Sequence, residues 1–90
     1  MKNGKEKVIL ANWKMRLNLK ETQELAQEMV KKFKDFNGGT VGLCPNFISL
    51  PSVKKILDGS QIKLGAQDVF WEEVGAYTGE ISAKILSEVG

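Results

Sequence analysis

Apolar and polar positions along the chain follow one pattern that recurs three times. The first copy opens on Lys7-Val8-Ile9-Leu10-Ala11, an apolar run without polar alternation, which predicts a strand buried on both faces. Asn18, followed three residues later by Glu21, has the spacing of a capping box. Leu25, Ala26, Met29, Val30, Phe33 and Phe36 then recur at helical spacing, with Glu24, Glu28, Lys31, Lys32 and Lys34 on the other face. Asn37-Gly38-Gly39 is the expected stop, since Gly and Asn accept the left-handed conformation of a C-terminal cap. The second copy pairs a strand, Thr40 to Cys44, with a helix for which Ser49 is the expected cap, Pro51 lies in the first turn, and Val53, Ile56 and Leu57 form the buried stripe. The third has a strand at Ile62 to Ala66 and a connection of about 12 residues, Asp68 to Gly79. It ends in a helix begun near Ser82, with Ile81, Ile85, Leu86 and Val89 on its apolar side.

Strand–helix alternation of this kind predicts an α/β chain with a parallel sheet, built of βα units near 30 residues each. No linker interrupts residues 1–90, which read as one domain. Crossovers of one hand place all the helices on one side, so the other face of the sheet lacks cover. A large uncovered apolar face marks an interface. The length is also about a third of the roughly 250 residues of an eight-unit barrel. Three parallel βα units of an incomplete (β/α)8 barrel are therefore expected, unstable alone, self-associating, or docked on a complementary barrel fragment.

Composition narrows the chemistry. With 42% apolar and 27% charged residues, the chain has globular rather than disordered composition. Thirteen Lys and Arg against 11 Asp and Glu leave +2, which provides no nucleic-acid footprint. The apolar runs fall far short of the roughly 20 residues that cross a bilayer, and the charged start Met1 to Lys7 leads into no signal-peptide core. The single Cys44 excludes an intrachain disulfide and fits a reducing, cytoplasmic setting. There is no histidine, so the chain supplies no imidazole as base, electrophile or metal ligand.

In parallel α/β folds, binding groups gather at the carboxyl ends of the strands. Those ends carry Asn12-Trp13-Lys14, Cys44-Pro45-Asn46 and Gln67-Asp68. If the first strand continues through Lys14, Asn12 and Lys14 alternate onto one side. A lysine there suits a phosphate or a developing enolate oxygen; equally, it is a solvated lysine after a strand.

Ala11-Asn12-Trp13-Lys14-Met15 closely resembles the N-terminal signature of the triosephosphate isomerase family. Cys44-Pro45-Asn46-Phe47, Leu64-Gly65-Ala66-Gln67-Asp68 and the run from Gly75 to Ser82 match it in the same order, and the resemblance extends from Val8 to Gly90. It implies the glycolytic and gluconeogenic interconversion of dihydroxyacetone phosphate and glyceraldehyde 3-phosphate through an enediolate. The resemblance also implies a reaction without cofactor or metal. A glutamate base and a neutral histidine carry the proton chemistry in that family, which is itself a standard worked case of tuned acid–base groups. By the same resemblance Lys14 is the catalytic lysine and Asn12 a substrate-binding asparagine. The histidine, the glutamate, the lid and the later phosphate-binding loops are expected beyond Gly90, so the 90 residues alone are expected to be inactive.

The long connection carries Val69, Phe70, Trp71, Val74 and Tyr77, more apolar surface than a monomer leaves wet. Two readings stand: a loop packed on its own side chains, or one that meets a partner. The resemblance implies a dimer in which this loop, with Tyr77, enters the other subunit. Thr78 then reaches the neighbour's Asn and Lys, Gln67 lies at the contact, and Glu80 takes an ion-pair partner outside these residues. Two positions depart from the family pattern. Arg16 replaces the usual Asn, affecting the start of its loop, and Asn46 replaces a common second Pro, removing stiffness after the second strand.

Other motifs are weak. No phosphate-cradling glycine run occurs. Glu72-Glu73 and the lysine pairs 31–32 and 54–55 read as solvated faces, and Trp13 and Phe47 as packing. A non-catalytic assembly module remains the competing hypothesis, distinguished by the association state of the isolated chain.

Overall fold

The computed structural model describes residues 6–90, and the first part of the charged start, Met1 to Lys5, lies outside them. Three parallel strands, β1 (Val8–Asn12), β2 (Thr40–Cys44) and β3 (Lys63–Leu64), form one sheet in the order β1-β2-β3. Helices α1 (Leu19–Lys32), α2 (Leu50–Leu57) and α3 (Ala83–Ser87) follow the strands in turn, and a 3₁₀ turn at Phe47–Ser49 leads into α2. β2 is central and runs where the apolar pattern put it. Register pairs Ile9 with Val41 and Ala11 with Leu43. Val41 and Leu43 point to the helices, where they pack with Ala26, Val53, Leu57 and Ile62 in the buried core. Each large aliphatic side chain removed from water there contributes about 1.5–3 kcal/mol.

Among the described residues the opposite sheet face has no helical layer, as expected. Val8 and Leu10 lie on it and are 60% and 65% exposed. Leu10 leans across the sheet over Gly42, and a Cβ at Gly42 would come within 2.8 Å of Leu10 Cδ2. Burial on both faces fails for β1, because even Ile9, on the helical side, is 49% exposed.

The Asn18 cap forms in full: the Glu21 N–H donates to Asn18 Oδ1 at 2.8 Å, and the Asn18 N–H donates to Glu21 Oε1 at 3.1 Å. The far end of α1 differs from the expectation. The helix stops at Lys32 with Phe33 as its cap residue, before the Asn-Gly-Gly run. There the Gln61 side-chain amide donates to the carbonyls of Phe33 and Phe36 at 2.5 and 2.6 Å, while the two rings meet edge-on at 5.3 Å. The apolar stripe continues into a folded-back turn rather than another helical turn. Gly39 serves β1 instead: with φ of 152°, it lies where a Cβ would strike the Lys7 carbonyl oxygen.

Three further expectations change. Ser49 makes no side-chain cap to α2, and Asn46 caps the preceding 3₁₀ turn. β3 is two residues long rather than five, since it pairs only with β2, although Ile62 before it is buried and the Gly65 N–H still donates to the Leu43 carbonyl at 2.9 Å. α3 is a short helix capped by Ser82, with no residue fully buried and Ile85 half exposed.

Candidate functional site

The strand ends converge on backbone carbonyls held by side-chain amides. The Cys44 carbonyl accepts the Trp13 N–H at 3.1 Å and the Gln67 amide at 2.8 Å. The same Gln67 nitrogen donates to the Lys14 carbonyl at 2.9 Å. Carbonyls only accept, so both contacts fix which end of the Gln67 amide faces the cluster. Lys14 after β1, Cys44 at the end of β2 and Gln67 after β3 are thereby tied together through one side chain.

β1 does not continue through Lys14 as the alternation argument supposed. It ends at Asn12, and Lys14 adopts φ of 53°, the one non-glycine residue with positive φ among those described. This conformation costs a side-chain-bearing residue about 1–3 kcal/mol and persists where its surroundings over-determine it. Here they do. The Lys14 N–H donates to Asn12 Oδ1 at 3.0 Å and its carbonyl receives Gln67, so both backbone polar groups of the residue are committed. Asn12 and Lys14 are brought together by this turn, not by strand alternation. Both are exposed, and among the described residues the Lys14 ammonium has no ion pair and the Asn12 NH₂ has no hydrogen-bond partner. The arrangement presents one cation, on a backbone held at its N–H and carbonyl, and one amide donor, both open to an anionic or carbonyl oxygen.

Asn46 forms a second brace that sequence reasoning missed. Its Oδ1 accepts the Ser49 N–H at 3.1 Å and the Ser49 hydroxyl at 2.9 Å. Its Nδ2 donates to the Leu17 carbonyl at 3.2 Å, on the β1–α1 loop. Far from loosening the chain after β2, this residue orders it. An Asn three positions before a Ser has cap spacing, which was the available signal. Cys44 is buried beside these groups, and burial pushes its thiol above the ordinary value of 9.0.

Tyr77, Thr78 and Glu80 lie apart. Among the described residues no hydrogen bond or ion pair joins them to Asn12 or Lys14. Their loop closes on itself through the Phe70 N–H to the Ile81 carbonyl at 2.7 Å and through the Phe70 and Tyr77 rings, 4.4 Å apart. A cavity of about 110 Å³ remains between Phe70, Tyr77, Glu80, Ile81 and Ile85. Self-packing is only partial, for Trp71 and Val74 stay 81% and 86% exposed. Both readings of the loop retain a physical basis.

Parallel strands in sequence order, with interleaved helices and polar groups gathered at the carboxyl ends, define part of a β/α barrel. The triosephosphate isomerase family profile matches residues 7–90, and the chain belongs to that family. It is 46% identical over 83 residues to the triosephosphate isomerase of Thermoanaerobacter pseudethanolicus, covering 92% of this chain and 33% of that protein. To that of Dehalococcoides mccartyi it is 50% identical over 82 residues, covering 91% and 33%. The crystal structure of triosephosphate isomerase from Bartonella henselae superposes with a TM-score of 0.80 at 31% identity, covering 92% of this chain and 34% of that one. The chain thus spans about a third of the length of the relatives it matches.

Proposed function

We propose that residues 1–90 are the N-terminal (βα)3 portion of a triosephosphate isomerase barrel, contributing Lys14 and Asn12 to a site for the triose phosphates. Interconversion of dihydroxyacetone phosphate and glyceraldehyde 3-phosphate requires negative charge to build on an oxygen as the enediolate forms. A fixed ammonium close to that oxygen and to the substrate phosphate lowers the barrier, and an amide NH₂ orients the substrate. The carrying observation is the left-handed Lys14, held at its N–H by Asn12 and at its carbonyl by Gln67. An imidazole to polarise the carbonyl would have to come from elsewhere in a barrel, since this chain has no histidine. The 90 residues alone are proposed to be inactive, and the reaction to need no cofactor.

The test is a chimera in which residues 7–90 replace the matching third of the Thermoanaerobacter enzyme. Isomerase turnover is expected in the chimera and none in the 90-residue chain. Lys14→Ala in the chimera is expected to lower kcat/KM by roughly 10²–10³-fold, the usual loss for one group at a developing charge. A folded chimera without turnover, or a Lys14→Ala variant as active as its parent, overturns the reading.

The exposed Val8, Leu10, Trp71 and Val74 favour a second reading, a self-associating barrel fragment. In the full enzyme the Trp71–Tyr77 loop would meet a partner subunit, with Gln67, Thr78 and Glu80 at or near the contact. Sedimentation of the 90-residue chain decides this point: a stable folded monomer at micromolar concentration excludes the self-associating module. Among the described residues no helix is long and apolar enough to cross a membrane, and the proposed setting is cytoplasmic.

A further inference from the structure

We infer that Asn46 is a positioning residue for Lys14, acting on the β1–α1 loop through the Leu17 carbonyl. The inference rests on the catalytic reading of Lys14 given above. Asn46 has two separable jobs written into its two amide atoms. Oδ1 receives the Ser49 N–H and hydroxyl, so it must be the oxygen, because a backbone N–H can only donate. That assignment turns Nδ2 toward Leu17, whose carbonyl it meets at 3.2 Å. Ser49 is completely buried, so the anchor on the β2 side is fixed. The loop from Lys14 to Leu17 is then gripped at both ends by side-chain amides, Gln67 on the Lys14 carbonyl and Asn46 on the Leu17 carbonyl. Between the two grips, Met15 and Arg16 are exposed and bring no buried contact to hold the loop. A left-handed lysine relaxes toward ordinary φ when one of its restraints is released. Proline at this position could serve neither job, having no side-chain acceptor or donor.

Asn46→Asp separates the jobs. Aspartate keeps the oxygen that accepts from Ser49 but has no N–H for Leu17, and its second oxygen faces that carbonyl. In the folded chimera, amide exchange should accelerate at Lys14, whose N–H is bonded to Asn12, by about tenfold, while the Ser49 amide stays within twofold of the parent. In the chimera the same variant should raise KM and lower kcat, each several-fold, because a displaced Lys14 weakens substrate binding and weakens the transition state further still. Loss of folded protein alone would lower apparent kcat and leave KM unchanged. Asn46→Ser, which retains a cap oxygen but cannot reach Leu17, should match the aspartate variant. If Asp exposes the Ser49 amide too, the serine variant decides by the same criteria. Unchanged Lys14 exchange, or an unchanged KM in a chimera that turns over, overturns the inference. An inactive parent chimera overturns the catalytic reading instead, and the exchange measurement still judges the brace.

Discussion

Gln67→Glu preserves the length and nearly the volume of a side chain whose nitrogen serves two carbonyls, at 2.8 and 2.9 Å. It replaces that donor by an oxygen. Two hydrogen bonds are lost, each with a net contribution of about 1 kcal/mol. The abandoned carbonyls add little further cost. Cys44 keeps the Trp13 N–H at 3.1 Å, and Lys14 is exposed enough for water to reach its carbonyl. Gln67→Ala should therefore cost about 2 kcal/mol. Gln67→Glu at pH 7 should cost about 3, because a charged oxygen now opposes two carbonyl dipoles. With a urea slope of about 1 kcal/mol/M for a chain this small, the unfolding midpoint should fall by about 3 M, enough to abolish a stable folded baseline in a marginal protein. Trp13 reports the change, since its ring packs against the core and its own N–H shares the Cys44 carbonyl, while Trp71 stays wet throughout. Acid provides an internal control. The carbonyls favour the protonated carboxyl, so the folded pKa of the new Glu is raised, and the deficit should shrink as pH falls through it. A protonated carboxyl carries no charge and can donate to one carbonyl, restoring about two thirds of the loss near pH 4. A Gln67→Glu midpoint within about 0.5 M of the parent at pH 7 would refute the idea that this amide ties the strand ends together.

Two other expectations follow from single positions. Gly39→Ala places a methyl against the Lys7 carbonyl oxygen, which already accepts the Thr40 N–H at 2.8 Å, so the first β1–β2 rung must open. A loss of about 3 kcal/mol or more is expected from strain and the broken rung together, read from thermal unfolding, and a loss under 1 would contradict the placement. For Cys44, burial raises the thiol pKa in the folded state, so its stabilising contribution is complete below the ordinary value of 9.0 and is lost as pH rises through the folded value. Stability of the parent should fall above pH 9 more steeply than that of Cys44→Ala, and parallel curves would count against a buried thiol.

The elements most legible in the sequence were those whose partners lie close along the chain. β2 falls at Thr40 to Cys44 because an uninterrupted β-prone run ended by Pro45 has no helical alternative. The Asn18–Glu21 box needs only its own four residues. The end of α1 was misread because Phe33 and Phe36 keep helical spacing, while the group that closes the helix, Gln61, comes from about 25 residues later. The candidate site divides the same way. Asn12 and Lys14 were legible as polar groups at a strand end, but the left-handed turn of Lys14 was not, because lysine carries no intrinsic preference for it. Gln67 has a role that only three-dimensional proximity reveals, since its two acceptors lie 53 and 23 residues away.

The sheet order β1-β2-β3 also bears on synthesis. Position across the sheet repeats position along the chain, so each strand lies beside the one made just before it. No strand must be threaded between two already in place, and every ladder closes over a single intervening helix. A chain emerging from the ribosome can therefore lay down β1 and β2 in final register once Cys44 has cleared the exit, then extend the sheet at one margin as translation proceeds. Growth at a margin keeps the outer edge of β3 unpaired among the described residues, open to a further strand. The same edge would accept a foreign strand as readily, which makes a pause after β3 a hazard for aggregation.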